Sequence, residues 1–352
     1  MNPAIQVLAA HKKAIDADIA AYTQHLEATT ASKYGKGSQL ALNAYCDILS
    51  RGGKRLRGAL VIEGYKMCGG TNEAMILQAA RAIEMIHAYL LVIDDIQDRS
   101  VLRRGGPSAH MMLKKVVKDQ HLAETLATNA ALLGCHAAMM ILANLDTEPL
   151  LRSNVLSILN RTLTVTYHGQ TNDSNNESRS DVSEQDVYNV QEWKTATYTI
   201  LNPIHVGMVL AGADCHATDG VTPYAMAAGQ AFQIIDDVIG TFGKPTEIGK
   251  GNMGDICEGK KTLMVVYALG HAQAADKKFL LKSLGNRQLT AKDFERCEQV
   301  LIDSGAKKYA QTKAQEYVNL ATQSIDNNKQ HWSVEGTAFL AGLAQFLQDR
   351  SS

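Results

Sequence analysis

IDDIQDRSVLRRGGPS, residues 93–108, closes the apolar run from Ile83 to Ile96 with three carboxylates, Asp94, Asp95 and Asp98. At i and i+4, Asp94 and Asp98 share one helix face, one turn apart. Arg103 and Arg104 follow, and Gly105-Gly106-Pro107 ends any helix. Like charges clustered on an apolar helix are costly unless a cation binds them. Hard divalent metals such as Mg²⁺ take oxygen ligands, commonly one or two carboxylates with phosphate oxygens, and arginine suits phosphate. Together these residue types point to a diphosphate held through Mg²⁺. Standing alone, such a cluster also occurs as a solvated acidic turn.

A second cluster argues against that plainer reading. Residues 229–240 read GQAFQIIDDVIG, with Asp236 and Asp237 ending another apolar helical stretch and Gln233 three residues before Asp236 on the same face. Thr222-Pro223 reads as the start of this helix, a cap followed by proline at the first helical position. Two aspartate pairs about 140 residues apart, each ending an apolar helix, are poorly explained as independent surface turns. Facing each other across a bundle, they would form a metal site in a core pocket.

Six motifs occur in series: GGKRLRG (52–58), DDIQD with LRRG (94–105), GQTND (169–173), WKTATYT (193–199), FQIIDDVIG (232–240) and GDICEGKKT (254–262). In identity, order and rough spacing they resemble the trans-isoprenyl diphosphate synthases, the polyprenyl synthetase family. The resemblance covers residues 52–262; residues 263–352 fit only as further helical bundle. It implies an all-α isoprenoid synthase fold of roughly ten to thirteen helices around a central cavity. It also implies condensation of isopentenyl diphosphate with an allylic diphosphate, in the presence of roughly two to three Mg²⁺ ions.

Carried over residue by residue, the resemblance implies that Lys54, Arg57, His87 and Arg104 bind the diphosphate of isopentenyl diphosphate. Asp94, Asp98 and Asp236 would ligate Mg²⁺, with Asp95 and Asp237 as outer ligands or supports. Arg103, Lys194, Thr195, Gln233, Lys250 and Lys260 would contact the allylic diphosphate, Lys194 and Lys260 beside the leaving group. Asp173 is held as an auxiliary ligand and Gln170 as its neighbour. His87 lies seven residues before Asp94 on the same face, so a core role and a ligand role both stay open. Tyr89 and Leu90 stand five and four residues before Asp94, and at 1.5 Å per residue Tyr89 is roughly 7 Å along the axis from it. In the family, bulk here sets product length. One aromatic rather than two, and a first motif without the two-residue insertion of bacterial short-chain members, favour geranylgeranyl over farnesyl diphosphate. As residues alone, Tyr89 reads equally as a core aromatic. The chain departs from the family at Gly240, where many members carry a third aspartate, and at ATNAALLG (127–134), where many carry Gly-Asp.

The 352 residues could hold two average domains, but six prolines and the lack of a long Gly/Ser or charged linker mark no boundary, and 1–352 reads as one domain. Abundant Ala, Leu, Met and Ile with little β-branched alternation favour all-α. A net charge of −1 gives no electrostatic case for nucleic acid. Charges break the apolar runs before a spanning length, and the N-terminus lacks a signal-peptide core, so no membrane insertion is expected. Six scattered cysteines without CxxC read as reduced thiols of a cytoplasmic protein, with Cys68 and Cys257 the more exposed. A homodimer is expected from the resemblance and from surplus apolar helix faces.

Residues 3–28 read as a helix, 29–38 as a loop and 39–50 as a helix. Thr71 or Asn72 caps the helix that runs to Asp98, and Ser183 with Asp186 caps the one carrying Lys194. The polar stretch 172–183 reads as a surface loop, 241–259 as a Gly-rich loop, and Thr290 with Asp293 as a further helix start. A class I terpene synthase shares the fold and the first motif but needs one diphosphate site, leaving GGKRLRG, His87 and Arg104 without a role. A non-catalytic subunit of a heteromeric prenyltransferase would have lost one aspartate motif, and this chain keeps most of both.

Overall fold

The structure is a computed structural model, and it describes residues 2–243 and 253–351. It is helical almost throughout. Among the described residues the only strands are β1 (Leu102–Arg103) and β2 (Gly106–Pro107), a two-stranded antiparallel hairpin. The described residues group into two compact units.

The first unit holds residues 3–158 and 203–214. It comprises α1 (Pro3–Ser50), α2 (Leu56–Met67), α3 (Glu73–Gln97), α4 (Ala109–Val117), α5 (Gln120–Ala143), the start of α6 (Pro149–Ser178) and most of α8 (Asn202–Leu210). The expected loop at 29–38 is instead helical, interrupted only at Gly35 (φ 80, ψ 174). Its Thr, Ala, Ser and Lys residues tolerate a helix, and glycine alone leaves it. Asn72 caps α3, its side chain accepting from Met75 N. The spine of α3 (Ile76, Ala79, Ala80, Ile83, Met85, Ile86) is buried against α1, α2 and α5. Tyr45 of α1 donates to the Met85 carbonyl at 2.7 Å, fixing α3 at mid-length.

Contrary to the sequence expectation, α3 and α5 are each long and apolar enough to cross a membrane by length and composition. A charge need not end an apolar run: Glu84 sits mid-α3, yet it is buried and ion-paired. Most of α3 is buried within its unit, whereas α5 exposes Leu122, Leu132, Leu133 and Met140.

The second unit holds residues 159–202 and 215–352 together with Asn2. It comprises the rest of α6, α7 (Glu184–Val190), a π-helix (Gln191–Leu201), α9 (Cys215–Phe242), α10 (Gly254–Glu258), α11 (Leu263–His271), α12 (Ala274–Ser283), α13 (Ala291–Asp303), α14 (Ala306–Asn328) and α15 (Val334–Ser351). α9 packs on the π-helix and on α14. The reciprocal capping box of Ser183 and Asp186 starts α7, and Thr290 caps α13 by accepting from Asp293 N.

Two boundaries differ from expectation. α9 begins at Cys215, after the chain turns at Gly212 (φ 76), so Pro223 lies inside the helix rather than at its start. α6 continues to Ser178, making the first half of the polar 172–183 stretch helical. Of the Gly-rich segment, 241–242 and 254–258 are helical. Lys250 lies outside the described residues.

Candidate active site

In the first unit, Asp94 and Asp98 occupy the last turn and the C-cap of α3, where the helix dipole is unfavourable to negative charge and no basic residue of the helix compensates. The chain then reverses through Arg99 (φ 54) into the β1–β2 hairpin, whose turn residues Arg104 (φ 50) and Gly105 (φ 74) are both left-handed. That is the two-residue hairpin turn whose twist matches its strands, and it folds Arg103 back over α3. The Arg103 Nε donates to Asp95 Oδ1 at 2.8 Å, and its Nη2 contacts the same carboxylate. Asp94 lies 3.6 Å from that Nη2. Asp95 is fully buried, and its second oxygen finds no hydrogen-bond partner among the described residues. Burial pushes the Asp95 carboxyl up to about 6 although Arg103 pulls the other way.

The basic loop lies in the same unit. Lys54 is exposed, and the half-buried Arg57 donates through Nη1 to His87 Nε2 at 3.2 Å. Burial, and then the charges of Arg57 and Arg104, hold His87 well below its usual range, so it is a neutral acceptor at that nitrogen. Arg104 donates to the Ile48 carbonyl at 3.1 Å. Tyr89 and Leu90 are half-buried on α3, and Met85 and Ile86, a turn deeper, are fully buried.

In the second unit two close approaches of backbone build the site. A Cβ on Gly169 would fall 2.7 Å from Lys194 N, and one on Gly229 would fall 2.4 Å from Ala196 Cα. The absent side chains let α6 and α9 press on the π-helix. One helical turn beyond each glycine a functional pair forms. Lys194 Nζ donates to Asp173 Oδ2 at 2.7 Å, and Thr195 Oγ1 donates to Gln233 Oε1 at 2.6 Å. Gln233 Nε2 in turn donates to Asp237 Oδ1 at 2.7 Å. Burial, then the charge of Asp255, push the Asp237 carboxyl well above its usual range; Asp236 adds to this, against a smaller pull from Gln233 and Lys260. Lys260 Nζ lies 2.9 Å from Glu258 Oε2. A Cβ on Gly240 would stand 3.4 Å from Asp255 Oδ2, so a carboxylate from the 254–262 motif borders the position where this chain departs from the second aspartate motif.

The carboxylates offer oxygen donors only, and one buried oxygen of Asp95 is unclaimed. Among the described residues no three His, Cys, Asp or Glu side chains form a metal cage by themselves. This donor set fits Mg²⁺, which is held by one or two carboxylates and completes its octahedron with water and substrate phosphates.

Several residues gave no signal in the sequence. Glu258, Asp255 and Arg51 lie in or beside recognised motifs but have no pattern of their own. Asp16 and Glu84 lie far from them, on α1 and α3. The π-helix is likewise unannounced: Thr197 Oγ1 donates to Glu192 O, five residues back, in the wide turn that carries Lys194 and Thr195. Among the thiols Cys215 is the exposed one, while Cys68 and Cys257 are half-buried and all six are free. Burial pushes Cys46 up to about 12 and Cys68 up to about 11, so neither is an activated nucleophile.

The polyprenyl synthetase family model matches residues 38–301. A geranylgeranyl diphosphate synthase of Saccharolobus solfataricus is 31% identical over 283 residues, which is 79% of this chain and 81% of that protein. A geranylfarnesyl diphosphate synthase of Aeropyrum pernix is 32% identical over 280 residues, covering 78% of this chain and 83% of its own. In fold, the crystal structure of geranylgeranyl pyrophosphate synthase from Corynebacterium glutamicum, complexed with isoprenyl diphosphate and magnesium, superposes with a TM-score of 0.90 at 24% identity, covering 97% of this chain and 98% of that one. With an all-α isoprenoid synthase fold and a family match over most of its length, the chain belongs to the polyprenyl synthetase family.

Proposed function

We propose that the chain is a Mg²⁺-dependent prenyltransferase. It joins isopentenyl diphosphate head-to-tail to an allylic diphosphate and releases a short-chain all-trans prenyl diphosphate, with geranylgeranyl diphosphate favoured and farnesyl diphosphate next. The observation that carries this reading is the coexistence of two acidic clusters with two separate sets of cationic side chains. One set is Lys54, Arg57 and Arg104 with neutral His87. The other is Lys194 and Lys260 in the second unit. A terpene cyclase would need only one set.

In this reading Asp94, Asp98 and Asp236 hold Mg²⁺, and Asp95 and Asp237 support them. When bound, the metal stabilises charge developing on the leaving diphosphate. Lys194, Lys260 and Arg103 neutralise the same oxygens as the allylic C–O bond breaks and its electron pair leaves with the diphosphate. Thr195 and Gln233 orient Asp237 through the hydrogen-bonded series between them. Lys54, Arg57, Arg104 and His87 hold isopentenyl diphosphate, whose double bond attacks the allylic carbocation. A proton is then lost, and the released diphosphate accepts it. The apolar helical interior keeps water from quenching the cation. Residues 1–352 act as one catalytic domain, cytoplasmic with its thiols reduced. The exposed apolar face of α5 supports a homodimer, for which light scattering should give twice the 38.2 kDa chain mass.

The test is incubation of the purified protein with Mg²⁺, isopentenyl diphosphate and dimethylallyl or farnesyl diphosphate, with product chromatography against prenyl standards. A hydrocarbon product would instead favour the cyclase reading.

A further inference from the structure

The second basic residue of GGKRLRG behaves unlike its neighbours. Lys54 is exposed and Arg57 half-buried, but the Arg55 side chain is only 1% exposed and points inward. Its backbone is left-handed (φ 51), a conformation that a non-glycine residue keeps only where its surroundings enforce it. The enforcing contacts come from two elements, α1 at two places and α3 at one. Arg55 Nε donates to Asp16 Oδ1 of α1 at 2.7 Å, and Nη1 donates to Glu84 Oε2 of α3 at 3.3 Å. Nη2 donates to the Leu49 carbonyl at 2.6 Å, satisfying one of the open carbonyls at the end of α1.

Glu84 also reaches the loop directly, its Oε1 accepting from Gly58 N at 2.9 Å. That approach requires glycine, because a Cβ at 58 would fall 2.8 Å from Ile15 Cδ1 and 3.1 Å from Glu84 Cγ. Lys12 adds a second cation to Asp16. Burial alone would raise the Asp16 carboxyl, but hydrogen bonds from Lys12 and Arg55 outweigh it and hold it below the usual carboxylate range. Arg51 completes the frame from the other end of the loop, donating to the carbonyls of Arg103 (2.9 Å) and Pro107 (2.7 Å) in the hairpin that carries Arg103 and Arg104.

We propose that Arg55 is a positioning residue rather than an anion ligand. Clamped between Asp16 and Glu84, it sets the backbone from which Lys54 and Arg57 reach the diphosphate of isopentenyl diphosphate, and the N-terminal helix is thereby part of that subsite. Asp16 lies outside the 38–301 segment that matches the family model, so the family pattern does not supply this contact. The proposal rests on the reading of Lys54 and Arg57 given under Proposed function.

The experiment is steady-state kinetics with each substrate varied in turn, on Asp16→Asn, Asp16→Glu, Glu84→Gln and Arg55→Lys, with Lys54→Ala as the reference and thermal melting on each. Asp16 is partly exposed, so Asp16→Asn keeps the fold and decides the question even where Glu84→Gln or Arg55→Lys does not fold. The expected result for Asp16→Asn is a roughly tenfold rise in KM for isopentenyl diphosphate, with the allylic KM unchanged and the melting temperature at neutral pH lowered by no more than the loss of one partly exposed ion pair. Asp16→Glu should recover most of the loss. A wild-type isopentenyl KM in Asp16→Asn, beside a raised one in Lys54→Ala, overturns the brace and leaves the subsite reading standing. An equal rise in both KM values, or a lowered melting temperature alone, also overturns it. A wild-type isopentenyl KM in Lys54→Ala removes the subsite reading, and the brace with it.

Discussion

The two acidic clusters solve the same electrostatic problem differently. At the end of α3 the protein supplies its own counter-charge: Arg103 folds back on the hairpin and grips the buried Asp95, and its Nη2 also lies 3.6 Å from Asp94. Along α9 the half-buried Asp237 has no such arginine among the described residues. It receives one amide hydrogen bond from Gln233 and feels Asp255 and Asp236 as like charges. At the first cluster an arginine donates directly to the buried carboxylate, while at Asp237 an amide and the charge of Lys260 pull against burial and the like charges. A carboxylate motif can thus be complete as sequence and still depend, to different degrees, on a cation from solution.

The largest effects should fall on turnover. Asp94→Ala and Asp236→Ala should each lower kcat by about 10²–10³-fold, as losing one group that stabilises the leaving charge does elsewhere, while circular dichroism shows the helices intact. Near-wild-type turnover in either variant at saturating Mg²⁺ would remove that cluster from the chemistry. Stability without metal should separate the clusters next. Asp95→Asn strips a largely buried arginine of its partner and should cost about 3 kcal/mol in denaturant unfolding. Asp237→Asn relieves the like charges of Asp236 and Asp255 and should cost under about 1 kcal/mol or stabilise slightly. Equal losses would break the comparison.

Tyr89→Ala should leave the rate of condensation within an order of magnitude but lengthen the product by at least one isoprene unit, read by chromatography. An unchanged product distribution would leave Tyr89 as a core aromatic. The smallest effect concerns pH. Because the Asp16 carboxyl is held below its usual range in the folded chain, its contribution is present above about pH 4 and is lost as pH falls through the depressed value. Wild type should therefore lose more stability than Asp16→Asn between about pH 5 and about pH 2, and parallel curves would count against the ion pair.

Local chemistry was legible in the sequence, and distant chemistry was not. Asn72, Ser183 with Asp186, and Thr290 were readable as caps because a cap is made within one helical turn. Thr222-Pro223 misled because proline is also accommodated inside a helix, and the real break is Gly212. The polar stretches at 29–38 and 172–178 misled because polarity by itself does not exclude helix. The residues carrying the candidate chemistry stood out as clusters of one charge in apolar surroundings. Their supports did not, since Asp16 and Glu84 are single acids on amphipathic helices that meet Arg55 only after folding. The π-helix spans only 11 residues, too short for its slightly wider turn to be told from an α-helix in the sequence, and it shows in the geometry at Lys194 and Thr195.

The central claim is that this chain condenses isopentenyl diphosphate with an allylic diphosphate in a Mg²⁺-dependent reaction. Its most direct test is radiolabelled isopentenyl diphosphate with an allylic primer, with and without excess EDTA, and chromatography of the phosphatase-treated products. The account predicts labelled geranylgeraniol as the main alcohol with Mg²⁺ and none with EDTA. No labelled prenyl alcohol with either dimethylallyl or farnesyl diphosphate, or an equal yield in EDTA, would contradict it.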